Sequence, residues 1–294
     1  DKTEFSMYIF YMINRALELH ILSKLLKANP VVGILGARQV GKTTLARLLQ
    51  KQGKSESHYY DLENPEDVAQ FHDPMLLLKP LKGIVIIDEI QRIPGLFQTL
   101  RVLADRKNIP THFLVLGSAS PELLRQSCES LAGRIAYHEL KGFSIGEVGT
   151  PNFDKLWLRG GFPKSYLSSS LTQSHDWRLN FIRSFLERDL PQLGVHIQST
   201  TLRRFWSMLA HYHGQIWNAS EFGRSFGVAD TTVRNYLDLF TAALVMRQLQ
   251  PWHENIRKRQ VKSPKVYFVD SGLLHAILNI RTRSDLLSHP KIGA

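Results

Sequence analysis

The chain has 294 residues, 43% of them hydrophobic, and a formal net charge of +11. That length and apolar content exclude a disordered tail and suggest two or three small domains. The lone Cys128 excludes a disulfide framework and a cysteine-based zinc site, which fits a reducing cytoplasm.

The apolar run Met7–Ile13 is far too short to span a bilayer, and Arg15, Glu18, His20 and Lys24 follow it at once. No small-residue cleavage site is evident, so neither a signal peptide nor a membrane partner is expected. From Ile13 to Leu26, residues Leu17, Ile21, Leu22, Leu25 and Leu26 share one face. That is the pattern of an amphipathic helix packed on a domain.

Between 31 and 140, short β-rich runs alternate with helical stretches, the pattern of a doubly wound α/β sheet. The first predicted strand, Val31–Leu35, runs into Gly36-Ala37-Arg38-Gln39-Val40-Gly41-Lys42-Thr43-Thr44, which matches G-x-x-x-x-G-K-[ST]. A helix is predicted from about Lys42 to Lys51. Glycines let backbone N–H groups fold around phosphate oxygens, and the helix N-terminus adds its dipole. Lys42 is expected to reach the β- and γ-phosphates, and the Thr43 hydroxyl to ligate Mg²⁺. The bland alternative is a Gly-rich turn before an ordinary helix.

A strand at His58–Leu62 and a helix at Pro65–Phe71 come next. Then Ile84-Val85-Ile86-Ile87-Asp88-Glu89 reads as a buried strand delivering a carboxylate to the edge where α/β sheets bind ligands. Asp88 is expected to hold Mg²⁺ through water, and Glu89 to orient and polarise the attacking water. The alternative is that this pair caps the next helix. The strand at 58–62 intervenes between the two motifs in sequence. This points to the P-loop class with an extra strand between phosphate and magnesium strands. No Asn/Thr-Lys-x-Asp loop is present, so adenine is favoured by elimination and ATP is the expected nucleotide.

A helix at Leu96–Arg106 leads to a strand at His112–Gly117, ending at Ser118. That residue either hydrogen-bonds the γ-phosphate or its water, or caps the helix predicted at Pro121–Ser127. Leu131-Ala132-Gly133-Arg134 precedes a fifth strand, Arg134–Leu140. Arg134 is expected to stabilise γ-phosphate charge, in its own subunit or a neighbour's, against the alternative of a surface arginine.

Beyond Lys141 the pattern turns helical, with breaks at Gly160-Gly161, Pro191 and Gly227, and one long helix at about Ser174–Leu190. Charge concentrates downstream: residues 201–265 hold ten basic and four acidic side chains, +6 of the total. The choice there is between a solvated face and a nucleic-acid footprint. Within it, Asn218–Phe240 has a helix-turn-helix shape. Ser220 is expected to cap the first helix and Asp230 the second, over a core of Phe222, Phe226, Val228, Val233, Leu237 and Phe240. Thr231, Thr232, Arg234, Asn235 and Asp238 then face outward, where DNA-binding versions meet bases and phosphates. Arg257, Lys258 and Arg259, with Lys262 and Lys265, would form a wing touching backbone. Duplex DNA is the expected partner; the alternative is a protein-contact module, since Asp238 is unfavourable near phosphate. His211 and His213 are near no acid cluster and read as surface helix residues rather than metal ligands. A last buried strand is predicted at Lys265–Asp270.

The order Gly36–Thr43, Asp88-Glu89, Ser118, Arg134 resembles the AAA-type ATPases. More specifically, five segments resemble a large prokaryotic ATPase family: Gly36–Thr44, Leu131–Arg134, Gly160-Gly161-Phe162-Pro163, Leu186-Glu187-Arg188-Asp189 and Tyr267-Phe268-Val269-Asp270-Ser271-Gly272-Leu273. That family joins an AAA-type domain to a winged-helix region and a degenerate restriction-endonuclease-like domain. The resemblance implies an arginine finger at Arg134, which would call for a homo-oligomer if it acts in a neighbour's site, and a lid turn at Gly161-Phe162-Pro163 near the adenine, against a simple loop. Glu187-Arg188-Asp189 reads as locally paired surface.

The pattern departs from the AAA type where Ser118 stands in place of the frequent Asn. Family members also continue past this sequence's end, and only Val266–Leu278 matches the start of the nuclease-like domain. Nuclease chemistry is therefore not expected, and Asp270 reads as structural. The expected divisions are 1–150 as an AAA-type P-loop domain with its N-terminal helix, 151–200 as a helical lid or linker, 201–265 as a winged-helix-like domain, and 266–294 as the start of a third α/β domain. Two functions stand against each other: Mg-dependent ATP hydrolysis coupled to a DNA-acting module, and a non-hydrolysing nucleotide-dependent regulator.

Overall fold

The structure is a computed structural model, and it describes residues 13–53, 56–106, 111–118, 130–192, 195, 197–252 and 263–290. The chain divides into two compact units, Asp1–Thr150 and Pro151–Ala294.

The first unit is built on five parallel strands: β1 (Val31–Gly36), β2 (Ser57–Asp61), β3 (Gly83–Asp88), β4 (Thr111–Ser118) and β5 (Ile135–Glu139), in the order β2-β3-β4-β1-β5. β1, β3 and β4 sit inside the sheet, which is why they read as continuous aliphatic runs rather than alternating ones. Right-handed crossovers then sort the helices. The connection from β1 to β2 runs one way across the sheet, and every later connection runs the other way. Helix α2 (Lys42–Gln52) therefore lies on one face, beside the N-terminal α1 (Ala16–Ala28). The opposite face carries α3 (Pro65–Gln70), α4 (Pro74–Leu78) and α5 (Leu96–Ala104). Val31, Val85, Ile87, Phe113 and Val115 point into that second layer and pack with Phe71, Leu78, Phe97, Leu100 and Leu131. A short helix, α6 (Ile145–Val148), closes the unit through a capping box of Ser144 and Glu147.

The strand interposed between the phosphate strand β1 and the magnesium strand β3 is β4, while β2 is an edge strand. The class inferred from sequence is the one observed, but the strand that separates the motifs in sequence is not the one that separates them in space. Helix α4 was not expected. Its signal was present: the Asp73 side chain accepts from Leu76 N at 3.0 Å, and Pro74 holds the first turn.

The second unit is mostly helical: α7 (Phe153–Arg159), α8 (Pro163–Tyr166), α9 (Leu171–Ser184), α10 (Ser199–His211), α11 (Ala219–Phe226) and α12 (Asp230–Ala242). An antiparallel pair follows, β6 (Met246–Leu249) and β7 (Lys265–Phe268), then α13 (Ser271–Ile277) and α14 (Arg283–Ser288). Ile216, between α10 and α11, bridges to Lys265 as a third, one-residue strand. Helix α9 does not run on as regular α to Leu190; Phe185–Asp189 is a π segment. Its extra residue per turn buries Phe185, Leu186 and Asp189 and leaves Glu187 and Arg188 in solvent. Arg188 Nε is 3.3 Å from Asp189 Oδ1, a local pair. The core is aromatic, with Trp206 within 5.1–5.8 Å of the rings of Phe185, Phe240 and Phe268.

Candidate functional site

β1 delivers Gly36 to the sheet's carboxyl edge, and α2 begins at Lys42. Between them Gln39 and Gly41 take positive φ, 61° and 103°, which curls the backbone so that successive N–H groups converge. Gly36 has no room for a side chain: a Cβ there would stand 2.6 Å from Leu140 O and 2.9 Å from Val40 Cγ1. Ala37 and Val40 are buried, Arg38 is half-buried, and Gln39, Thr43 and Thr44 are exposed.

Lys42 is 6% exposed, which is rare for a cation. Its Nζ donates to the carbonyls of Gly36 (2.9 Å) and Ala37 (3.1 Å). Burial pushes its pKa down, opposed by the charges of Glu89 and Asp88. Such an ammonium is suited to an anion arriving in the loop.

β3 ends at Asp88, 3% exposed. Its Oδ2 accepts from Thr43 Oγ1 at 2.6 Å and from Tyr59 Oη at 2.8 Å, and its Oδ1 accepts from Glu89 N at 3.0 Å. A hydroxyl and a carboxylate brought together are hard oxygen donors, which suit Mg²⁺. That ion takes one or two protein oxygens and fills its shell with water and phosphate. Thr43 and Asp88 thus fit the ion, as Lys42 and the loop amides fit a triphosphate. Glu89 takes left-handed backbone (φ 55°, ψ 44°), a costly conformation for a side-chain-bearing residue and one that clusters at functional sites. Burial raises its carboxyl pKa, while Lys42 and a hydrogen bond from Gln91 lower it.

Ser118 is in register with Gly36, so the end of β4 lies beside the loop's first glycine. Its side chain lies outside the described residues, as does the helix expected at Pro121–Ser127. Arg134 lies elsewhere. Its carbonyl accepts from Val31 N, at the start of β1, roughly 17 Å of strand away from Gly36. Its guanidinium grips both oxygens of Asp105, at 2.5 and 2.9 Å. The own-subunit role is thereby removed by reach, and only a neighbour's site remains open to this residue. Should it act there, Arg134→Ala would lower turnover more than nucleotide affinity, and wild-type activity per subunit would climb with protein concentration. A flat activity across a wide dilution range would leave Arg134 as one half of a surface pair.

Three side chains at this edge were not singled out from sequence. Tyr59 shares Asp88 with Thr43, and its phenol is held well above its ordinary range by burial and by that carboxylate. Gln91 holds Glu89. Arg15, 6% exposed, bonds Glu147 (2.6 Å), Lys141 O (2.9 Å) and Val40 O (3.4 Å), tying the loop to the segment after β5. Its carboxylate partner is 132 residues away in sequence, so no local pattern announced it.

In the second unit, Thr231, Arg234, Asn235 and Asp238 are exposed and Thr232 is half-buried, above buried Val233, Leu237 and Phe240. The expected caps differ. Asn218, not Ser220, caps α11 by accepting from Glu221 N, and Ser220 instead donates to Asp230. Asp230 is the first residue of α12 rather than its cap. The Asp238 carboxylate accepts from Gln248 Nε2 at 2.8 Å, which ties α12 to β6. Arg257, Lys258, Arg259 and Lys262 lie outside the described residues. His213 lies just past α10, and its Nδ1 accepts from Phe268 N at 3.1 Å; it braces β7 rather than facing water as a helix residue.

The Gly160–Pro163 and Tyr267–Leu273 segments meet. Buried Asp270 accepts from Gly161 N (2.7 Å) and Leu273 N (2.9 Å). Gly160 (φ 77°) is so close that a Cβ would overlap Asp270 Oδ1 at 2.2 Å. Arg178, buried beside this knot, bonds the carbonyls of Leu158 and Gly272, and burial pulls its pKa down to about 10. Among the described residues, no helix is long and apolar enough to cross a membrane.

Residues 28–149 match a family model described as an AAA domain, and residues 150–284 match one described as a domain of unknown function. Uncharacterized proteins of Mycobacterium tuberculosis and Mycobacterium bovis are each 52% identical over 273 residues. Those alignments cover 93% of this chain but 62% of each relative, so the chain spans about three fifths of their length. The solved Walker-type ATPase of Pyrococcus abyssi superposes with a TM-score of 0.61 at 15% identity, over 91% of this chain and 96% of that one; what it shares is the fold. With this sheet order and this loop, residues 28–149 have the P-loop fold, and it is this segment that matches the AAA domain model.

Proposed function

We propose that the chain binds ATP with Mg²⁺ and hydrolyses it, and that its nucleotide state controls a winged-helix module acting on duplex DNA. The observation that carries the first part is the 2.6 Å hydrogen bond from Thr43 Oγ1 to Asp88 Oδ2, with Lys42 buried behind it and Glu89 adjacent. The loop amides and Lys42 hold the phosphates, and Thr43 and Asp88 hold the ion. When bound, Mg²⁺ neutralises charge on the β- and γ-phosphate oxygens. Glu89 orients water for in-line attack and takes its proton while the bond from γ-phosphorus to the bridging oxygen breaks, releasing ADP and phosphate. Ser118 is a candidate contact to the γ-phosphate, and Arg134 to that of a neighbouring subunit in a homo-oligomer. A cytoplasmic setting suits a nucleotide hydrolase with one cysteine.

The winged-helix reading of 201–265 is supported by its element order: α10, the Ile216 bridge, α11, α12, then the β6–β7 pair. Thr231, Thr232, Arg234 and Asn235 lie on the first turns of α12, the part that enters the major groove in such modules. Binding to duplex DNA is expected to be weak and to fall steeply with salt, since phosphate contacts release counterions. Replacing Arg257, Lys258 and Arg259 together should flatten that slope. Asn235→Ala should instead alter sequence preference, because Asn pairs with the adenine edge. Anisotropy titrations over a salt series measure both. No binding at low salt, or an unchanged slope in the triple variant, would make the unit a protein-contact module. Phosphate release with and without DNA then tests the coupling.

A further inference from the structure

Glu89 and Gln91 face each other across a single tight turn. The turn is pinned below by Ile90, fully buried in the core, and closed by Arg92 N donating to Glu89 O at 3.0 Å. The left-handed backbone at Glu89 breaks the line of β3, and its carboxylate lies close enough to Lys42 to feel that charge. There Gln91 Nε2 donates to Glu89 Oε2. This bond fixes the Gln91 amide, because a flipped amide would set its oxygen against a carboxylate oxygen. The other end of that amide, Oε1, is buried and has no hydrogen-bond partner among the described residues. Buried acceptors are rarely left unsatisfied, since they have given up water without replacement, and one beside a catalytic carboxylate asks for a ligand.

We propose that Gln91 Oε1 is the second contact to the attacking water, so that Glu89 and Gln91 hold that molecule together. The proposal rests on the hydrolytic reading above and deepens it. Water has two O–H bonds and two lone pairs. One O–H donates to Glu89 Oε1, the carboxylate oxygen that Gln91 does not use, and the other donates to Gln91 Oε1. With both hydrogens fixed, a lone pair is left for the γ-phosphorus. As the oxygen–phosphorus bond forms, the proton on the Glu89 side moves to that carboxylate, and the bond to the bridging oxygen breaks with its electrons leaving on ADP. Gln91 transfers no proton. It sets the water's direction, and its donated hydrogen bond favours the charged form of Glu89 against the burial that opposes it. It is a catalytic residue by its contact with the reacting water and a positioning residue toward Glu89.

Gln91→Met keeps the length of the side chain and removes both donor and acceptor. In steady-state hydrolysis of Mg·ATP by the whole chain, kcat is expected to fall by about tenfold to a hundredfold, in the range for loss of one preorganised polar contact. KM and the affinity for a non-hydrolysable analogue should stay within about twofold, since the contact is absent without the water. A merely loosened turn would instead weaken analogue binding along with kcat, because Asp88 and the loop would shift with it. Wild-type kcat in Gln91→Met, or a fall in kcat matched by an equal loss of analogue affinity, overturns the role of Gln91 while leaving an active wild type as an ATPase. A wild-type chain that binds ATP without hydrolysing it overturns both.

Discussion

Glu89→Gln should bind ATP as tightly as the wild type and hydrolyse it about 10²- to 10⁴-fold more slowly, the usual scale for a positioned general base. The substitution is nearly isosteric, so the turn and the loop keep their shape. Removing a negative charge close to bound phosphates cannot weaken binding on electrostatic grounds. Turnover falls because an amide cannot take the water's proton. The wild-type profile provides an independent check. Burial raises the Glu89 carboxyl pKa, so activity should be full above it and fall as pH drops through it, at a pH above the ordinary carboxylate range. Glu89→Gln should lack that limb. Pre-steady-state phosphate release and analogue binding by calorimetry read the two effects, and turnover at the wild-type rate would assign the water to another residue.

Lys42→Ala should lose nucleotide affinity rather than chemistry alone. Truncating one partner of a buried, hydrogen-bonded charge pair costs about 2–5 kcal/mol, which is roughly a thirtyfold to several-thousandfold weaker Kd. Two effects on the free protein oppose each other. The variant leaves the carbonyls of Gly36 and Ala37 without their donor, but it also removes a cation whose burial is unfavourable. The fold should therefore survive, and the lost affinity reports the phosphate contact. Unchanged affinity by calorimetry would remove the loop from nucleotide binding.

The sheet was legible because its inner strands are aliphatic runs that can exist only with both faces covered. Val31–Leu35 and Ile84–Asp88 each ended within one residue of the observed strand. The loop was legible because glycine spacing fixes where backbone can curl. Side chains whose partners are remote in sequence were not. Arg15 needs Glu147, and Tyr59 needs Asp88 two strand positions further along its neighbour. Gln91 stood two residues from Glu89 in plain view, but only the left-handed turn makes them face each other. Arg134 was open between its own subunit and a neighbour's, since a motif before β5 does not tell which end of the sheet it occupies; the bond from Val31 N does. The Asp270 knot was read correctly as structural, yet its link to Gly160-Gly161 spans 109 residues and had no sequence signal.

The central claim is that Thr43, Asp88 and Glu89 form a working hydrolytic centre rather than a nucleotide sensor. Steady-state phosphate release from ATP, measured with Mg²⁺ and with the ion chelated, tests it most directly. The account predicts saturable turnover that requires Mg²⁺ and disappears in Glu89→Gln. ATP binding without phosphate release, or release that is indifferent to Mg²⁺ and to Glu89→Gln, would contradict it.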